Sequence, residues 1–179
     1  VGSEMCIRDR LTTHLFDKEN FKMTDYEKIN DLIKNIRTVI FTFSNTEGHL
    51  HAAPMTTQNR EFNGQVWFIG SKKSELCQSI QTDSQVNLAY VTSSNHYVSI
   101  HGTANLVDDQ SILDELWSPA YEAFFENGKQ DPDVQLIQVN AHGAQYWESA
   151  GTIATLYKLT KAAISGEKQE LGTSDTVRL

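Results

Sequence analysis

The stretch His96–Leu106 constrains the fold more than any other part of the chain. In it Val98, Ile100, Ala104 and Leu106 alternate with Tyr97, Ser99, His101, Thr103 and Asn105. A period of two puts the apolar set on one face of an extended strand and the polar set on the other. Such a strand needs neighbours along its edges and a core beneath one face. The rest of the chain supplies both. Arg37–Ser44 reads RTVIFTFS, rich in β-branched and aromatic residues, and predicts a strand. Asn45-Thr46-Glu47-Gly48 supplies turn chemistry, and His49–Gln58 is the expected partner strand. Pro54 lies inside that partner and offers no N–H to a ladder, which argues for an edge position or a bulge. Asn63-Gly64 marks a tight turn into a strand at Gln65–Ile69, and Gln85–Val91 sets Val86, Leu88 and Tyr90 on one face. Val134–Asn140 and Ala144–Glu148 read as two further strands, broken at His142-Gly143.

Helical signals are fewer and peripheral. Thr24-Asp25-Tyr26-Glu27 is a capping box, followed by Ile29, Leu32, Ile33 and Ile36 at helical spacing. Ser74 is placed to cap a short helix reaching about Gln81. Asp109–Trp117 predicts a second, ended before Pro119. Thr152–Ile164 predicts a third, with Ile153, Leu156, Tyr157 and Leu159 on one side and Gly166 beyond its end. Seven strands with few long helices make a mainly β domain, a small barrel or a sandwich with peripheral helices. Periodicity does not choose between the two.

The opening VGSEMCIRDR lacks the apolar stretch of a signal peptide. Residues 1–22 are expected to be a non-native or disordered leader, residues 23–166 the domain, and residues 167–179 a polar, frayed tail. The 179 residues carry 39% hydrophobic and 21% charged side chains, as a globular domain does. The formal net charge of −8 disfavours nucleic acid and anionic membrane surfaces as partners, since both need clustered cations. No apolar run approaches the roughly 18 residues that span a bilayer. Cys6 and Cys77 form neither a CxxC nor a zinc spacing, which fits a reducing cytoplasm.

Three clusters bear on chemistry. Gly70-Ser71-Lys72-Lys73-Ser74 passes from a strand into a helix, where backbone N–H groups and two ammonium groups could attract a phosphate. His49 and His51 share one strand face, but no third ligand accompanies them and no metal site is assigned. Asp108-Asp109 reads as a strand-end turn and helix cap rather than an acid pair. The G-x-S-x-G, P-loop and G-x-G-x-x-G motifs are absent.

The segments IRTVIFTF, GHLHAAPMTTQ, GQVWFIG, YVSIHGTANLVDD, ELWSPAYEAFF and AQYWES resemble, in order and spacing, the general-stress-protein-26 branch of the pyridoxamine 5′-phosphate oxidase-like family. The resemblance implies an FMN-binding split β-barrel, a homodimer with flavin at the subunit interface, and flavin-dependent oxidoreduction of a small substrate. Non-catalytic flavin binding is an alternative, as is a barrel dimer that has lost FMN for another planar ligand. It implies that Met55, Thr57 and Gln58 line the flavin ring and that Trp117 and Phe124 contribute aromatic cover. The phosphate falls to the Gly70–Ser74 passage. In that family a basic residue usually precedes the Pro-Met pair, and a Lys follows the Ser of the phosphate turn by two positions. Here Ala53 and Leu76 stand there. Each lost charge-assisted contact is worth about 1.5–3 kcal/mol. Lys72, Lys73 and His51 are the residues at hand to compensate.

Overall fold

The computed structural model describes residues 25–58, 60–92, 96–149 and 172–179. The leader expected at 1–22, the capping-box Thr24 and the helix expected at Thr152–Ile164 lie outside the described residues. Residues 25–33 form helix α1. The other elements are β1 (Thr38–Ser44), β2 (Leu50–Thr56), β3 (Gln65–Ser71), α2 (Glu75–Ile80), β4 (Gln85–Val91), β5 (Tyr97–Val107), α3 (Gln110–Leu116), β6 (Val134–Ser149) and β7 (Gly172–Arg178). Two short 3-10 turns, Pro119–Ala123 and Gly128–Gln130, lie between α3 and β6.

All pairings are antiparallel, and the sheet runs β2-β1-β4-β5-β6-β3, with β7 added to β6. The end strands β2 and β3 share no ladder but come together in space. The Met55 methyl lies 3.9 Å from where a Cβ on Gly70 would sit. This is a β-barrel split between β2 and β3, as the resemblance implied. Pro54 sits on end strand β2, opposite Ile40 of β1, so the edge explanation holds. The turns before β2 and β3 need Gly48 (φ 80°) and Gly64 (φ 95°), a backbone region that other residues rarely enter.

Inside the barrel, Phe41, Phe68, Leu88, Ile100, Ile137 and Val139 are fully buried. Burial of each such side chain contributes about 1.5–3 kcal/mol. Helix α1 lays Ile29 and Ile33 into the same core. Its Lys28 ties back to β6, with Nζ 2.8 Å from Glu148 and 5.3 Å from the centre of the Tyr146 ring.

A second cluster lies outside the barrel wall. The run Val66-Trp67-Phe68-Ile69 in β3 is buried throughout. Val66 and Phe68 face the interior, while Trp67 and Ile69 meet Leu113, Leu116, Phe125, Val134 and Leu136. A strand covered on both faces reads as a continuous apolar run rather than an alternating one. The cover is an arm made of α3 and the 3-10 turns.

Two expectations need correction. The two strands expected around His142-Gly143 are one strand, β6, paired with β5 along its length. His101 pairs with Gly143 and Gly102 with Ala141, so His142 is an extra residue, a bulge rather than a loop. The two backbones approach closely beside the bulge. A Cβ on Gly102 would lie 2.1 Å from the Asn140 carbonyl oxygen. The tail expected to fray instead forms β7 at Gly172–Arg178, in register with Ser149–Gly143 of β6. Its backbone bonds hold it, so it needs little apolar pattern of its own.

Candidate cofactor site

The passage from β3 into α2 is built by side chains that bond to backbone. Ser74 Oγ donates to the Ser71 carbonyl at 2.7 Å and accepts the Cys77 N–H at 3.2 Å, capping α2 as its sequence position requires. Ser71 Oγ donates to Asp133 Oδ2 at 2.6 Å and accepts the Lys73 N–H at 3.1 Å. The Lys73 N–H also points at Asp133 Oδ1, 3.3 Å away, and the Lys72 N–H donates to the Asp133 carbonyl at 2.8 Å. The turn expected to attract an anion therefore already meets one, supplied by the chain itself. The lysine heads are engaged more loosely: Lys72 Nζ lies 3.9 Å from Asp108 and Lys73 Nζ 4.0 Å from Asp133. Both are solvated, and at such separations the pairs are weak.

The two positions that depart from the family pattern face the core. Leu76 is 5% exposed and packs in the barrel cluster beside Cys77 and Ile80. Burial there pushes the Cys77 thiol above its ordinary pKa. Ala53 is half-buried against the same cluster. An apolar residue at either position satisfies packing that a charged head could meet only by reaching out to water.

His51 stands at the start of β2 and reaches across to α2, its Nδ1 3.0 Å from Glu75 Oε2. The neighbouring His49 Nδ1 lies 3.5 Å from Glu47. Met55, on β2, is half-buried with its methyl near Gly70 of β3. Thr57 is buried and its hydroxyl donates to the Ile36 carbonyl at 2.9 Å, so it serves the β1–β2 junction. Gln58 donates its side-chain N–H to the Tyr121 hydroxyl on the arm. Trp117 is half-buried, with ring centres 5.5 Å from Tyr121 and 6.0 Å from Phe125. Phe125 belongs to the arm's core, whereas Phe124 is 78% exposed.

The expected site residues thus fall into two groups. His51, Gly70, Ser71, Lys72, Lys73 and Ser74 gather around the β3–α2 turn. Gln58, Trp117 and Phe124 belong to the arm side, with Met55 on the wall between β2 and β3. Asp133, Glu75 and Tyr121 were missed. The Asp-Pro-Asp run at 131–133 has turn chemistry, but nothing local in the sequence ties it to Ser71, 62 residues earlier.

The barrel's outer wall is also unusual in composition. Strands β1 to β5 contain no Asp, Glu, Lys or Arg. Val91, Tyr97 and Trp147 stand side by side across β4, β5 and β6 and are 55%, 46% and 42% exposed. Ile40 and Leu50 are exposed on β1 and β2. Exposed apolar residues grouped on one sheet face commonly mark an interaction surface.

Comparison with known proteins supports the architecture. A family model described as "Pyridoxamine 5′-phosphate oxidase like" matches residues 24–170. A general stress FMN/FAD binding protein from Xanthomonas citri is 31% identical, over 69% of this chain and 87% of that one, with a TM-score of 0.60. A structure assigned as general stress protein 26 from Jannaschia sp. CCS1 superposes with a TM-score of 0.68 over 88% of this chain and 99% of that one. At 24% identity it speaks for the fold alone. The protein bli-3 of Neurospora crassa is 25% identical over 134 residues, and the match spans 64% of its length.

Proposed function

The chain belongs to the pyridoxamine 5′-phosphate oxidase-like family, and from that membership we propose an FMN-binding split-barrel protein that works as a homodimer. Its finer role is that of a cytoplasmic flavin-dependent oxidoreductase acting on a small substrate. The observation that carries the reading is the family match over residues 24–170, together with a 31% identical relative described as binding FMN or FAD. The exposed apolar row on β4, β5 and β6 supports pairing with a second copy, because burying it removes apolar surface from water. Among the described residues no helix is long and apolar enough to cross a membrane.

The residues present fit a flavin unequally. Met55, Gln58, Trp117 and Phe124 offer apolar and amide surface suited to a planar ring. At the phosphate end, the Lys72 and Lys73 amides are already engaged by Asp133 and Ser71. That leaves the Lys72 and Lys73 side chains, with His51, to hold the phosphate, and all three are solvated. Bound flavin supplies hydride transfer, and the protein supplies placement and electrostatics. The Lys72 and Lys73 ammonium groups would hold the phosphate, and the arm's Trp117 and Phe124 would shield the ring from water.

Asp133 favours a second reading, in which the barrel dimer holds FMN poorly and takes another planar ligand. A flavin-binding protein without turnover stands between the two. Visible absorption of the purified protein, followed by titration of the apo-protein with FMN, separates them. Flavin bands with sub-micromolar binding support the first reading, and reduction of the bound flavin by a nicotinamide donor supports the enzyme. A colourless protein indifferent to FMN well above micromolar concentration removes it.

A further inference from the structure

The three groups at hand to hold a phosphate at the β3–α2 passage each face a carboxylate of the chain itself. His51 Nδ1 lies 3.0 Å from Glu75, Lys72 Nζ 3.9 Å from Asp108, and Lys73 Nζ 4.0 Å from Asp133. Asp131 adds a fourth carboxylate. Bonds from the Asp133 and Asn127 backbone N–H groups, with the Lys73 ammonium nearby, hold it below its ordinary pKa. These groups together carry no net positive charge, whether His51 is protonated or neutral. A phosphate monoester brings about 1.5 to 2 negative charges at neutral pH. At this passage it meets at least as many anions as cations, and Coulomb forces act on both alike.

The carboxylates differ in how freely they can yield. The Asp108 and Glu75 side chains are 86% and 55% exposed, so an arriving anion can turn them toward water. The Asp133 side chain is only 22% exposed and is held from several directions. Its Oδ2 accepts the Ser71 hydroxyl at 2.6 Å, and its Oδ1 lies 3.3 Å from the Lys73 N–H nitrogen. Its backbone is pinned as well: the carbonyl accepts the Lys72 N–H at 2.8 Å, and the N–H donates to Asp131 Oδ1 at 2.9 Å. A hydroxyl and backbone N–H groups converging on an oxyanion are what a turn offers to a phosphate. Here the chain's own carboxylate takes those bonds, and a phosphate could gain them only by breaking charge-assisted ones. The ring end has no such conflict, since Met55, Gln58 and Trp117 are uncharged.

We propose that Asp133 is a specificity-determining residue that stands in for a ligand's phosphate, so that the site takes a flavin-type planar ring without a terminal phosphate in preference to the phosphorylated one. The proposal rests on the reading of Met55, Gln58 and Trp117 as a ring site, and it narrows the ligand class of that site. Lys72 and Lys73 still attract a phosphate, but Asp133 offsets that attraction from a fixed position.

The test is paired calorimetric titration of the apo-protein with riboflavin and with FMN, which share one ring system and differ by the phosphate. The parent should bind riboflavin at least as tightly as FMN. The variant Asp133→Asn keeps the shape of the side chain and removes its charge. It should move the ratio severalfold toward FMN, through FMN alone. A parent that binds FMN about tenfold or more tightly than riboflavin overturns the proposal. So does a variant whose ratio stays where it was or moves toward riboflavin. A second probe needs neither variant nor flavin. Inorganic phosphate added to the parent should produce no saturable shift in the amide resonances of Gly70–Ser74, and a saturable shift there overturns the proposal. If neither flavin binds, the flavin reading fails by itself, and the phosphate titration then decides the role of Asp133 alone.

Discussion

The barrel interior and the rim formed by the β3–α2 turn and the arm are built from opposite materials. Inside, Phe41, Phe68, Leu88 and Ile100 are fully buried, and the strands that carry them through β5 hold no charged residue. On the rim, Ser71, Asp133 and Lys73 interlock through short polar contacts, and Trp117, Tyr121 and Phe125 form a separate, partly exposed aromatic group. The difference separates two duties. Folding free energy comes from the interior, where burial is complete. Under the function proposed above, recognition falls to the rim, where the polar turn and the arm's aromatic group lie.

That division can be broken by substitution. The largest effect is expected for Gly102→Ala. A Cβ there meets the Asn140 carbonyl oxygen at 2.1 Å, and backbone cannot step aside as a side chain can. Urea denaturation should show a loss above about 4 kcal/mol, or no folded protein. A mild loss would mean that the bulge at His142 is plastic.

Next comes the pair Lys72→Ala and Lys73→Ala together. FMN affinity should fall by about tenfold or more, with the melting temperature unchanged. An unchanged FMN affinity would remove the lysines from the phosphate end. Asp133→Asn should act in the opposite direction. It takes a negative charge from beside Lys73, so FMN binding should tighten severalfold in calorimetric titration while the turn weakens slightly. Looser FMN binding in this variant would mean that Asp133 shapes the turn for the ligand rather than competing with it.

The smallest effect concerns pH at α3. The Ser111 hydroxyl and the Ile112 backbone N–H hold the Asp109 carboxyl below its ordinary value of 3.8. A depressed folded-state pKa gives stability that is present above the unfolded value and lost as pH falls through the folded one. Protection of the α3 amides, measured against their intrinsic exchange rates, should therefore fall below about pH 4, ahead of protection in β4 and β5. A simultaneous fall would mean that arm and barrel open as one unit.

Much of the interior was legible because the periodicity was simple. Val98, Ile100, Ala104 and Leu106 alternate and lie on the inner side, and Val86, Leu88 and Tyr90 are all buried. The caps at Ser74 and Asp109 were equally readable, since each bonds within three residues of itself. Three features were not. His142-Gly143 looks like a turn in sequence, and only the pairing with His101 and Gly102 makes it a bulge. β7 is polar because it is held mainly by backbone bonds to β6 and stays largely exposed. At the site, Lys72, Lys73 and Ser74 were visible as a cluster. Asp133, which reaches the Lys73 N–H across 60 residues, left no local trace.

Strand β6 has a consequence for how the chain can be altered. It changes partners along its length: residues Val134–Asn140 pair with β3, and residues Gly143–Ser149 pair with β7. At its far end Ser149 stands opposite Gly172. Each half of β6 is thus held on the side away from β5 by a different strand, so a substitution that loosens β7 leaves the pairing of Val134–Asn140 with β3 in place.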